Sequence, residues 1–257
     1  MRIDLNSDVG ESFGVYSLGL DKEVAKYVTS FNIACGYHAG DPMVMAETVR
    51  IAKAHDIGIG AHPGYPDLQG FGRRVMHMTP EEVTNAVMYQ IGALQAFAQA
   101  QNRPLQHVKA HGTLYNMAAK DPKLAAAIAK GVKAVAPDAI LVGLAGSELI
   151  KEALAAGLKV AQEVFADRAY NADGTLVPRS EPGAMIHDAG EAAKRVVRML
   201  TEGKVTAIDG TEIAVVAHSV CVHGDNPAAI AFVKQIRAAL VKAGVEVVPL
   251  AQVLSGE

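Results

Sequence analysis

The stretch "NIACGYHAGDPMVMAETVRIAKAHDIGIGAHPG", residues 32–64, holds a complete strand–helix–strand unit. Its apolar start runs through Cys35 to a histidine, His38, set among Ala34, Gly36, Ala39 and Gly40. Asp41 then precedes Pro42, which places a capping side chain before a proline at the first helical position. Through His55 the apolar residues recur every three or four positions, the period of a helix with one buried face. A second apolar run, residues 57–62, ends at His62 and is stopped by Pro63-Gly64. A helix joining two such strands makes them parallel. Each of the two strands therefore delivers a histidine at its C-terminal end.

The same alternation continues in both directions. Residues 2–8, 28–35, 57–62, 105–111, 139–145, 158–165, 213–222 and 245–250 read as strands, bounded by glycine, proline or polar residues. Between most of them lie helical periods, as in "PEEVTNAVMYQIGALQAFAQAQ", "PKLAAAIAKGVKAVA" and "AAIAFVKQIRAALVKAG". Thr79-Pro80, Asp121-Pro122 and Asn226-Pro227 repeat the cap-plus-proline start, and Thr79 with Glu82 and Asp188 with Glu191 have the capping-box spacing. The pattern predicts one α/β domain, residues 1–257, a single (β/α) barrel of seven or eight parallel strands, with 245–250 as the weakest strand. An open doubly wound sheet is the alternative. Residues 167–188, "DRAYNADGTLVPRSEPGAMIHD", break the alternation and read as an irregular, lid-like insertion with a small hairpin. "KVTAIDGTEIAV" predicts a further hairpin about Asp209-Gly210.

Composition narrows the partners. With 24 Lys and Arg against 27 Asp and Glu, the net charge of −3 offers no electrostatic attraction for nucleic acid or an anionic membrane. The apolar runs are too short to span a bilayer, and acids stand near the N-terminus where a signal peptide would be apolar, so a cytoplasmic location is expected. Cys35 and Cys221 lie far apart in apolar runs and read as small buried hydrophobes.

The chemistry-bearing residues gather at strand ends. Asp8 with Glu11, His38, His62, Lys109 with His111, Glu163 with Asp167 and Arg168, and His223 with Asp225 each fall at the C-terminal end of a predicted strand. In a parallel barrel these ends converge on one rim. Alternation also puts Asp4, Asn6 and Asp8 on one face of the first strand, and His107, Lys109 and His111 on one face of the fourth. If Ile3, Leu5 and Val108 face the helices, these polar sets face the barrel interior. Such an interior requires a mutual hydrogen-bond network or a ligand. On the third strand Gly58 and Gly60 share the parity of His62 and leave room. Asp41 reads as a cap, while His55, His77 and His187 stand outside the pattern.

An Asp and several His suit a divalent metal with open positions, held by Asp8, His38 and His62. They equally suit metal-free acid–base chemistry, with an acid activating water and Lys109 or a histidine stabilising an oxyanion. The spacing does not select between them. No HExxH, Gly-x-Ser-x-Gly or phosphate-binding GxxxxGK[ST] motif is present, and "GFGRR", residues 70–74, is a weak anion signal.

Seven ordered motifs, "DLNSDVGESFG" (4–14), "NIACGYHAGDP" (32–42), "GAHPGYPDLQGFGRR" (60–74), "HVKAHGTLYN" (107–116), "EVFADRAY" (163–170), "LVPRSEPGAMI" (176–186) and "SVCVHGDNP" (219–227), resemble those of the LamB/YcsF family over nearly the whole chain. The family pattern has proline where this chain has Ala110, a position expected to face away from the interior. The resemblance implies a barrel of the glycoside hydrolase/deacetylase type. It also implies ATP-dependent opening of the lactam of 5-oxo-L-proline to L-glutamate, together with 5-oxoprolinase subunits B and C and with ATP as co-substrate. Combined with the strand-end pattern, Asp8, Glu11, Lys109 and His111 are the expected catalytic residues, Asp8 or Glu11 handling the water and Lys109 and His111 the oxyanion. His38, His62, Glu163, Arg168, His223 and Asp225 are the expected substrate-binding residues, with Tyr170 and Arg179 closing over a small anionic substrate. A stand-alone metal-dependent deacetylase or amidohydrolase, and a non-catalytic lactam-binding subunit, are the competing readings.

Overall fold

A computed structural model describes residues 1–224 and 226–256. Strands β1 (Arg2–Val9), β2 (Ser30–Ala34), β3 (Gly58–His62), β4 (Leu105–Lys109), β5 (Ile140–Leu144) and β6 (Lys159–Phe165) pair in parallel in sequence order. A short antiparallel hairpin, β7 (Lys204–Thr206) with β8 (Glu212–Ala214), intervenes. Strand β9 (Ser219–Val222) then pairs in parallel with both β6 and β1. That double pairing closes a barrel of seven strands. The two-residue β10 (Glu246–Val247) pairs only with Arg2 and Ile3 at the start of β1.

The expected helices form around the barrel where their caps place them. Asp41, Thr79, Asp121 and Asn226 each accept backbone N–H bonds in the first turn of Pro42–Ala54, Pro80–Ala100, Pro122–Val135 and Pro227–Lys242. Thr79 and Glu82 complete a reciprocal capping box. No described helix is long and apolar enough to cross a membrane. The main apolar core lies between strands and helices: Ile3, Leu5, Phe31, Ile33, Ile59, Val108, Leu141 and Val220 point outward into it and are fully buried. At the N-terminal end of the barrel, Ile140 and Val142 form a separate small cluster with Leu250 of the last helix, Leu250–Leu254.

Three predicted strands differ in extent. Residues 213–222 are two elements: Ile213 belongs to the β7–β8 hairpin, and the barrel strand begins only at Ser219. Residues 245–250 supply two paired residues, because Pro249 opens a helix at Leu250. Residues 105–111 stop pairing at Lys109, since Gly112 takes φ +55° and starts the helix Gly112–Ala118 with His111 at its N-cap.

Polar residues fill the upper interior, and glycine makes the space. Gly60 lies opposite Asn32 and His107, and a Cβ there would stand 2.0 Å from His107 Nε2. Because His107 is fully buried and bonded to Asn32, it has nowhere to retreat. Gly60→Ala is expected to destabilise the fold by about 1–3 kcal/mol, the usual cost of overpacking a core, read as a lowered urea midpoint at unchanged slope.

Candidate active site

The interior network starts from two amides. Asn6 donates through Nδ2 to Glu163 Oε1 (2.8 Å) and Ser219 Oγ (2.7 Å). Its Oδ1 accepts from Asn32 Nδ2 (2.7 Å) and Lys109 Nζ (3.1 Å). Asn32 also donates to Asp8 Oδ1 (2.8 Å), and its Oδ1 accepts from His107 Nε2 (2.7 Å). Every donor and acceptor of Asn6 is used, which is what a polar barrel interior requires. Below them Asp4 accepts from the hydroxyls of Thr29, Ser30 and Ser219, and burial still pushes its carboxyl up to about 6.

Lys109 is the charge centre. Its ammonium lies 2.8 Å from Glu163 Oε1 and 3.2 Å from Asp8 Oδ1, and also 3.2 Å from Cys221 Sγ. Burial opposes its charge, but Asp8, Cys221 and Glu163 outweigh burial and hold the ammonium well above its ordinary pKa. Glu163, fully buried, also accepts from Tyr115 Oη (2.7 Å). Burial likewise opposes ionisation of Asp8, and His62 and Lys109 overcome it, so Asp8 lies well below the usual carboxylate range. With Oδ1 held by Asn32 and Lys109, the Oδ2 of this charged, partly exposed carboxylate is the atom that can meet water.

Three histidines and Glu11 lie beside Asp8. His62 Nε2 is 3.3 Å from Asp8 Oδ2, while its Nδ1 is 2.7 Å from the Lys109 carbonyl. His111 Nε2 is 2.8 Å from the Phe71 carbonyl, and its Nδ1 is 3.0 Å from His62 Nε2. His38 stacks on His111 with ring centroids 3.6 Å apart and planes 3° from parallel. Glu11 Oε1 is 3.7 Å from His38 Nε2 and 3.9 Å from His111 Nδ1. Burial, then the charge of Asp8, pushes Glu11 up to about 7. Burial, with the neighbouring histidines, keeps His38 and His111 well below the ordinary imidazole value.

The small residues around His38 now have a reason. A Cβ on Gly64 would lie 2.8 Å from His38 Nδ1, and one on Gly72, at φ +64°, 2.8 Å from the His111 ring. Backbone from the 60–74 stretch thus packs directly onto the two stacked rings.

Just past β9 His223 Nδ1 lies 2.7 Å from Asp167 Oδ2, Arg179 Nη2 is 3.2 Å from His223 Nε2, and ligand atoms of Asp8, Cys221 and His223 lie within 4.8 Å of one another. Burial opposes protonation of His223, but Asp167 outweighs it and raises its pKa. Arg168 is buried and donates to the Val177 carbonyl (2.6 Å), so it is bonded within its own segment. Tyr170, expected at the mouth, is instead 1% exposed and accepts the Phe165 N–H through its hydroxyl. Asp225 lies outside the described residues. The contacts from Tyr115 and from the Phe71 carbonyl carried no signal in the sequence. Phe71 has φ +55°, a turn conformation that no motif announces.

The chain matches the LamB/YcsF family over residues 3–255. The A subunit of 5-oxoprolinase from Coprothermobacter proteolyticus is 61% identical over 254 residues, spanning 99% of this chain and 97% of that protein. Its counterpart of the same name from Pyrococcus horikoshii is 56% identical, spanning 97% and 98%. The crystal structure of a lactam utilization protein from Thermus thermophilus superposes with a TM-score of 0.91 at 52% identity, covering 96% of this chain and 99% of that one.

Proposed function

Since the chain belongs to the LamB/YcsF family, we infer that it is the A subunit of a 5-oxoprolinase, a hydrolase that opens the lactam of 5-oxo-L-proline to L-glutamate. The observation that carries this reading is identity of 56–61% over nearly the full length of relatives bearing that name. The reaction adds water to the lactam carbonyl and breaks its C–N bond. Asp8 Oδ2, charged and accessible, orients the attacking water and takes its proton. Lys109 keeps Asp8 ionised and in place. Arg179 and His223 supply positive charge for the substrate carboxylate, and we propose that the 167–188 segment, which carries Arg179, closes over it. His111 Nε2 is engaged by the Phe71 carbonyl, which leaves Nδ1, 3.0 Å from His62 Nε2, as the atom of this ring that faces the site.

A five-membered lactam is an unstrained amide, so coupling to ATP gives its opening both rate and direction. We propose that ATP is bound and used together with subunits B and C and that the assembly works in the cytoplasm; the sequence of this chain lacks a GxxxxGK[ST] motif. Reconstitution tests the division of labour by following glutamate and ADP together. The complete mixture should release both, and this chain alone neither. Lactam-dependent ATP turnover by this chain alone, or no glutamate from the complete mixture, would overturn the assignment.

A further inference from the structure

The carbonyl contacts of two buried rings fix where their lone pairs point. A backbone carbonyl only accepts, so His62 Nδ1, 2.7 Å from the Lys109 oxygen, carries the proton of its ring. By the same rule His111 Nε2, 2.8 Å from the Phe71 oxygen, carries its own. With both rings neutral, His62 Nε2 and His111 Nδ1 are lone-pair atoms, and the positive charge on the His62 side of Asp8 is then a proton or a cation held by them. They face each other at 3.0 Å. Two acceptors at that separation repel unless something positive lies between them. A third acceptor, Glu11 Oε1, stands 3.9 Å from His111 Nδ1, and Glu11, His38, His62 and His111 each bring one ligand atom within 4.8 Å of the others.

We propose that His62 Nε2, His111 Nδ1 and Glu11 form a binding site for one divalent transition metal of the zinc class. Zinc–ligand bonds of roughly 2.0–2.2 Å in a tetrahedron set ligand atoms about 3.3–3.5 Å apart. The separations from His111 Nδ1, 3.0 Å to His62 and 3.9 Å to Glu11, bracket that spacing. Two His and one Glu is a ligand set that leaves a fourth position open. The carbonyl bonds are the outer shell that metal-bound imidazoles characteristically have, each ring donating its remote N–H to a backbone oxygen. The two rings are perpendicular, so one ion can lie in both planes at once. His38 does not share this role. Its plane is parallel to that of His111 at 3.6 Å, and an ion in one plane is out of the other. His38 supports the His111 ring from its face. Asp8 Oδ2, 3.3 Å from His62 Nε2, borders the open position.

This site is in the cavity assigned to lactam opening but does not depend on that reading. A chain that binds metal yet releases no glutamate in the complete mixture with B, C and ATP would end the functional assignment and leave the metal site standing. The test uses the full chain, stripped with chelator and titrated with Zn²⁺ by calorimetry and with Co²⁺ by visible absorption. The expected result is one equivalent bound, a tetrahedral-type Co²⁺ spectrum and a raised melting temperature. His62→Ala and His111→Ala should each weaken Zn²⁺ binding beyond the roughly 10–100-fold that loss of an outer-shell partner costs. If those buried variants fail to fold, Glu11→Gln, at a partly exposed position, gives the same reading. His77→Ala, an exposed histidine outside the cluster, should bind as the parent does. No stoichiometric binding would overturn the proposal and leave a shared proton between the rings. Binding unchanged in the ligand variants would overturn it equally.

Discussion

Asp8→Asn should lower glutamate formation by the reconstituted enzyme roughly a hundredfold to ten-thousandfold, the range for loss of a general base. The change keeps the shape of the side chain. The amide oxygen still accepts from Asn32 and Lys109, as Asp8 Oδ1 does at 2.8 and 3.2 Å. The new Nδ2 takes the place of Oδ2, 3.3 Å from His62 Nε2. What disappears is the negative charge and the only proton acceptor that Asp8 offers to water. Lys109 keeps Glu163 as a counter-charge at 2.8 Å, so the melting temperature should fall by only a few degrees. Glutamate release with B, C and ATP present, beside a thermal melt, separates the two effects. Near-normal turnover would remove Asp8 from the mechanism. A collapse in stability would recast it as a structural acid.

The barrel was readable because its signals are local and periodic. Cap-plus-proline starts at Asp41, Thr79, Asp121 and Asn226 mark helices through groups a few residues apart, and all four side chains cap. Strand parity was equally informative: Asp4 and Asn6, and His107 and Lys109, do line the interior, while Ile3, Leu5 and Val108 lie in the outer core. What failed to show is settled by contacts distant in sequence. The apolar run at 213–222 looks continuous. Only the pairing of Ile213 with Val205 across the hairpin, and of Ser219 with Asp4 and Glu163, divides it. Tyr170 has the composition of a lid residue, yet its hydroxyl is consumed by the Phe165 backbone. Asn6 falls in the interior polar set, while Asn32 carries no signal in its strand. Their importance comes from two amides interlocking across β1 and β2, a geometry no spacing along either strand reveals. The orientations of the His62 and His111 rings depend on carbonyls of Lys109 and Phe71 and were invisible for the same reason.

Lys109→Met should be the most damaging interior change to stability, about 3–5 kcal/mol, because it strands buried carboxylates without their cation. For a chain of this size that corresponds to a fall in melting temperature of roughly 6–20 °C. Methionine fills much of the same volume, so the loss is electrostatic rather than a cavity. Glu163 Oε1 keeps the Asn6 bond and Oε2 the Tyr115 bond, but its charge is then unopposed in a fully buried position. Asp8, a short distance up the same barrel, loses one of the groups that held its carboxyl low, and the ammonium that kept Oδ1 in place. Catalysis should fall with it, since Asp8 no longer presents a fixed oxygen. The variant Lys109→Met/Glu163→Gln distinguishes this account from simple disruption of packing. Removing the stranded charge should restore at least about 1 kcal/mol relative to Lys109→Met, a coupling expected only of residues in direct contact. Glutamine retains an acceptor for Asn6, and Tyr115 can turn its hydroxyl to accept from the new amide. Activity should stay low in the double variant, because Asp8 is still without its partner. Losses in urea-derived stability that simply add, with no recovery, would show that Lys109 matters for its bulk and not for its charge.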